Sequence, residues 1–90
     1  YEYWTKTTIK GNYSIKLRKK INTNKIEEIW NGDKEKEKLK VEYFGVGDLE
    51  VSHNDRYLAY SLDLKGSEYY TIYIREIKTN KIVTKKIIVM

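Results

Sequence analysis

Short runs of period-two alternation dominate the chain. From Tyr13 to Arg18, the apolar Tyr13, Ile15 and Leu17 alternate with Ser14, Lys16 and Arg18, which predicts a strand with one apolar and one polar face. From Tyr57 to Leu64 the apolar face is Leu58, Tyr60, Leu62 and Leu64; from Tyr70 to Arg75 it is Tyr70, Ile72 and Ile74, with Thr71, Tyr73 and Arg75 opposite. Turn chemistry bounds each run, at Gly11-Asn12, Asn22-Thr23-Asn24, Asn31-Gly32-Asp33, His53-Asn54-Asp55, Lys65-Gly66-Ser67 and Thr79-Asn80. One stretch competes for a helix: Asp33 to Lys40 is rich in helix formers but holds a single apolar residue, Leu39. Without an apolar face to bury, it reads as a charged, solvated loop or one exposed helical turn.

The pattern also repeats. Tyr13-Ser14-Ile15-Lys16-Leu17-Arg18 matches Tyr70-Thr71-Ile72-Tyr73-Ile74-Arg75, 57 residues on, and Thr23-Asn24-Lys25-Ile26 recurs unchanged as Thr79-Asn80-Lys81-Ile82, 56 residues on. Upstream, Tyr3-Trp4-Thr5 parallels Ala59-Tyr60-Ser61, and Gly11 parallels Gly66. Repeated antiparallel strands at this spacing predict an all-β fold of two consecutive propeller-type blades, one of them partial. A sandwich of two duplicated sheets is the rival architecture. The blade reading puts strands at 1–9, 13–20 and 25–30 as the last three of one blade (residues 1–32), and a charged connection at 33–46. Four strands follow, at 47–52, 56–64, 69–77 and 81–84, as the next blade (residues 47–84), with a further element starting over 85–90. A chain that starts and stops mid-blade, with Tyr1 in place of Met, is expected to be cut from something longer.

Ninety residues suffice for one small domain or part of a larger one. A domain of that size buries only about 60–65% of the surface its unfolded chain exposes. With no cysteine, neither a disulfide nor a Cys-based zinc site can make up the shortfall, and the absence suits a reducing cytoplasm. Ile87-Ile88-Val89-Met90, the longest apolar run, is far too short to cross a bilayer, and no charged and apolar leader opens the chain. The net charge of +5 rests on Lys at fifteen of eighteen cationic positions. Lys is more often a solubilising charge than a bidentate reader of phosphate, so nucleic acid is not the expected partner. Nine tyrosines and no proline reinforce the strand assignment.

Candidate chemistry is sparse. An α/β-hydrolase nucleophile sits in a G-x-S-x-G elbow; Ser14, Ser52, Ser61 and Ser67 all lack the flanking glycines. His53, the single histidine, falls in a turn and reads as an exposed or structural residue, because a general base needs a nucleophile and an orienting partner. One His, no Cys and scattered carboxylates show no metal-ligand spacing. Gly45-Val46-Gly47 lacks the third glycine and the helix of a phosphate loop. Asp48 and Glu50 share a strand face and form either an acidic spot or an ordinary polar surface. Trp30, Tyr69 and Tyr73 suit a base-stacking surface less well than packing between blades. No catalytic, cofactor-binding or metal-ligating residue is therefore assigned.

Tyr43-Phe44-Gly45-Val46-Gly47-Asp48-Leu49-Glu50-Val51-Ser52, then Arg56-Tyr57-Leu58-Ala59-Tyr60-Ser61-Leu62-Asp63, then Gly66-Ser67-Glu68-Tyr69-Tyr70-Thr71-Ile72, resembles the early propeller of oligopeptidase B, in the prolyl oligopeptidase family of serine peptidases. Tyr1-Glu2-Tyr3-Trp4-Thr5, with Gly11 and Tyr13, resembles the preceding blade. The resemblance spans nearly the whole chain, strongest from Tyr43 to Asn80 and weak at Asp33 to Lys40 and after Lys85, and one turn departs from the family where it matters, with His53-Asn54-Asp55 in place of Pro-Asp-Gly. It implies a propeller that restricts access to an α/β-hydrolase domain carrying a Ser-Asp-His triad, acting on short basic peptides after Lys or Arg, with that domain in the same or a companion chain. The segment alone is expected to be inactive, without cofactor or membrane association, and to self-associate through unpaired strand edges. A free-standing protein-binding β module is the alternative.

Overall fold

In a computed structural model the described residues form two antiparallel sheets and one short helix. The structure describes residues 1–7, 11–66 and 69–89. Two compact units divide the chain, Tyr1–Lys40 and Val41–Met90.

The first unit holds β1 (Glu2–Lys6), β2 (Ile15–Lys19) and β3 (Ile26–Asn31) in the order β1-β2-β3, followed by α1 (Gly32–Leu39). Among its described residues, Ile15, Leu17, Ile29 and Trp30 are buried and apolar. The expected polar face of β2 is interrupted by Arg18, which is only 2% exposed. Its Nε donates to Glu27 Oε1 at 3.2 Å, and its guanidinium lies 4.1 Å from the centre of the Tyr1 ring. Burial pulls the Arg18 pKa down, but hydrogen bonds with Tyr3 and Glu27 and the Glu27 charge outweigh it, so the net shift is upward and the group stays charged.

The run from Asp33 to Lys40 is neither a loop nor a single turn but part of an eight-residue helix. Leu39 is 43% exposed, so an apolar face does not hold it. Its ends do. Asn31 is the N-cap, its side chain accepting from the Lys34 N–H at 3.1 Å. Asp33 and Glu35 occupy the positive first turn, and Lys36 and Lys38 the negative last turn. Lys40 closes the helix in the left-handed region (φ 55°), its N–H donating to Lys36 and Glu37 carbonyls. Asp33 also ties the helix to the β1–β2 connection, accepting from the Asn12 N–H (3.1 Å) and the Tyr13 N–H (3.4 Å). Asn31-Gly32-Asp33 is thus a strand-to-helix junction, not a reversal between strands.

The second unit is a four-stranded meander of β4 (Gly45–Val51), β5 (Tyr57–Asp63), β6 (Tyr69–Glu76) and β7 (Ile82–Val89). β7 continues through Lys85 to Val89, so the break expected there is absent. Register shows why this unit differs from a half-solvated sheet. Leu58, Tyr60 and Leu62 face Arg75, Tyr73 and Thr71, while Ala59 and Ser61 face Ile74 and Ile72. Directly opposed residues share a face, so the apolar stripes of β5 and β6 lie on opposite faces of one sheet. Leu58, Tyr60, Leu62, Ser61 and Asp63 are all buried, and Tyr70, Ile72 and Ile74 are half-buried. A sheet apolar on both sides suits a blade flanked on both sides.

The duplication is structural as well as sequential. Trp4 pairs with Leu17, and Ala59 pairs with Ile74, the counterpart of Leu17 in the repeat. Trp4 therefore corresponds to Ala59, not to Tyr60: the upstream parallel read from sequence is off by one, a slip that exchanges the two faces.

Candidate functional site

The residues that bear chemistry are spread over turns and bulges. His53 is exposed at the tip of the β4–β5 turn. That turn is organised by its neighbours. Asn54 Oδ1 accepts from Ser52 Oγ (2.6 Å) and from the Arg56 N–H (3.1 Å). Ser52 Oγ in turn accepts from the Tyr57 N–H (3.0 Å), and Asp55 takes the left-handed conformation (φ 60°). Asn54 and Asp55 thus replace the side-chain acceptor and the glycine of a Pro-Asp-Gly turn with residues that tolerate the same geometry. Ser52 has a turn-building role.

Ser61 is also structural. Val46 pairs with Leu62 and Leu49 with Tyr60, so Gly47 and Asp48 together face Ser61 in a bulge. Ser61 Oγ accepts from the Asp48 N–H at 2.9 Å, and a Cβ on Gly47 would collide with that oxygen. This is why glycine stands at Gly47: close approach, not phosphate binding. Asp48 and Glu50 are both exposed on this edge strand, so the acidic spot sits beside an irregularity that the alternation pattern gave no sign of. Ser14 contributes its carbonyl to the Gly32 N–H at 3.1 Å. Ser67 lies outside the described residues.

The three aromatics proposed for stacking divide between the two units. Trp30 is 2% exposed. Tyr73 stacks on Tyr60, with ring centres 5.2 Å apart and planes 11° from parallel, and Lys85 Nζ lies 5.8 Å from the Tyr73 ring centre. Arg75 lies 5.0 Å from the Tyr60 ring centre. Among the three, Tyr69 is the one with a largely exposed side chain. Packing within the sheet uses these rings.

Sequence reasoning missed Asp63, which is 2% exposed. Its Oδ1 accepts from the Lys65 N–H (3.0 Å) and the Gly66 N–H (2.9 Å), while Gly66 supplies a positive φ of 71°. An Asp two to three residues before a Gly in a turn was the available signal. The duplicated Thr-Asn turns share one device: Thr23 Oγ1 accepts from the Lys25 N–H, and Thr79 Oγ1 from the Lys81 N–H. They differ in the residue at positive φ, Asn22 in the first and Asn80 in the second, because the first connection is one residue longer.

Among the described residues, no group of three or more His, Asp or Glu is placed to hold a metal ion, and no helix is long and apolar enough to cross a membrane. A search of curated proteins gives no match. The family comparison does: residues 1–88 match the N-terminal β-propeller domain of prolyl oligopeptidase. The antiparallel sheets, the structural duplication and the sheet apolar on both faces agree with that match, and the chain belongs to the prolyl oligopeptidase N-terminal β-propeller family.

Proposed function

We propose that this chain is a propeller segment that filters peptides for a serine peptidase of the oligopeptidase B type. The family match over residues 1–88 carries the reading. In the full enzyme of this family, a propeller accompanies a peptidase domain. The finer assignment rests on the ordered run from Tyr43 to Ile72, which resembles oligopeptidase B. The substrates are then short peptides cleaved after Lys or Arg. The nucleophile, acid and base belong to an α/β-hydrolase domain in the same or a companion chain. A cysteine-free chain suits a cytoplasmic location. Blade by blade, residues 1–32 are the last three strands of one blade and residues 47–84 the core of the next, joined by the charged connection.

A free-standing binding module is the second reading, favoured by sheet edges that no strand of the same sheet covers: β1 and β3 in one unit, β4 and β7 in the other. Ile82 and Val83, each 55% exposed, stand near the start of β7. Unpaired edges recruit other strands, so the isolated chain self-associates.

One preparation tests both readings. The purified chain, incubated with an Arg-containing reporter peptide, is expected to release no product, and to sediment with a concentration-dependent mass. Hydrolysis by the chain itself would overturn the filter role. A monomer at all concentrations would remove the edge-pairing module.

A further inference from the structure

Asn31-Gly32 is the chain's single Asn-Gly pair; the other asparagines are followed by Tyr, Thr, Lys, Asp and Lys. The pair is the most susceptible sequence for intramolecular deamidation, because glycine puts no side chain in the way of its own amide nitrogen. In that reaction the Gly32 nitrogen, losing its proton, attacks Asn31 Cγ. A nitrogen–carbon bond forms, the Cγ–Nδ2 bond breaks, and ammonia leaves. Water then opens the resulting succinimide at either carbonyl, giving aspartate or isoaspartate at this position.

The fold engages both the nucleophile and the carboxamide of this reaction. The nucleophilic nitrogen is engaged: the Gly32 N–H donates to the Ser14 carbonyl at 3.1 Å. The electrophilic carboxamide is engaged as well, its Oδ1 accepting from the Lys34 N–H at 3.1 Å. Gly32 is buried, with Tyr13 packed where a Cβ would stand. Asp33, the next residue, ties the helix start to the Asn12 and Tyr13 amides. We infer that Asn31 is a latent deamidation site, held intact by the β3–α1 junction and modified when that junction opens. The two products have different consequences. Aspartate remains a good N-cap. Isoaspartate routes the backbone through an extra methylene, which displaces Gly32 from Ser14 and releases the helix start.

Sites guarded by local structure react from the opened state, at a rate set by how often they open. The test incubates the intact chain at mildly alkaline pH and follows Asn31 by peptide mapping, separating aspartate from isoaspartate. A short peptide spanning residues 28–35 is the unprotected reference. The expected result is conversion in the intact chain at least about tenfold slower than in the peptide, equivalent to about 1.4 kcal/mol of protection. The two rates should converge as urea is added, and in urea Asn31 should lead all other asparagines. Equal rates for chain and peptide in native buffer would overturn the guarded site. So would a rate that urea leaves unchanged, or, in urea, earlier conversion at Asn12, Asn22, Asn24, Asn54 or Asn80.

Discussion

Leu58→Ala is expected to lower the urea midpoint of the second unit more than any surface substitution. Leu58 is 0% exposed and sits between Val51 on β4 and Arg75 on β6, near the start of an inner strand of the sheet. Truncating a fully buried leucine removes its transfer energy and leaves a cavity, at a cost of about 2–5 kcal/mol. Small domains hold only about 5–15 kcal/mol in total, so the loss is a large part of what stabilises this unit. Leu39→Ala is the matched control: Leu39 is 43% exposed on α1, and its truncation should stay within about 0.5 kcal/mol of the parent. Circular dichroism through a urea titration reads both. Midpoints that coincide for the two variants would mean that Leu58 is not the core residue described here.

Asp63→Ala should come next in effect. The side chain is buried, and one of its oxygens accepts from two successive backbone amides, Lys65 and Gly66. Removing it strands both donors and unpins the β5–β6 connection. Both amides belong to exposed residues that water can reach, but a hydrogen bond to a charged acceptor contributes about 1.5–3 kcal/mol, so a loss of about 2–3 kcal/mol is expected. Asp63→Asn keeps an acceptor oxygen and should recover about half of it. The titration that reads Leu58→Ala reads this pair too. If the asparagine variant is no better than alanine, the carboxylate acts through its charge and not through the turn geometry.

Much of the fold was legible because strands write their period into the sequence. Alternation at Tyr13–Arg18, Tyr57–Leu64 and Tyr70–Arg75 located β2, β5 and β6, and the repeated Thr-Asn-Lys-Ile placed the starts of β3 and β7. What failed was whatever depends on the partner strand. Arg18 belongs to the polar face of β2 by pattern, yet Tyr1 and Glu27 cover it. The stripes of β5 and β6 each looked like one face of an ordinary sheet, and only the register shows that they point opposite ways. Trp4 was matched to the wrong residue because a one-residue slip leaves the local sequence equally plausible and reverses every side chain. The helix was missed because amphipathicity was the criterion, whereas Asn31, Asp33 and Lys40 hold it at its ends. For the site, the chemistry-bearing residues were findable, but their roles were not. The hydroxyls of Ser52 and Ser61 and the carboxylate of Asp63 each satisfy backbone amides, which a list of residue types cannot distinguish from catalysis.

The most direct measurement is the sequence of the reading frame on both sides of this segment. The account predicts a downstream G-x-S-x-G elbow, followed by an Asp and then a His in the order of an α/β-hydrolase triad. A frame that closes soon after Met90 with no such elbow, and no companion gene supplying one, would contradict the filter role and leave a strand-pairing β module in its place.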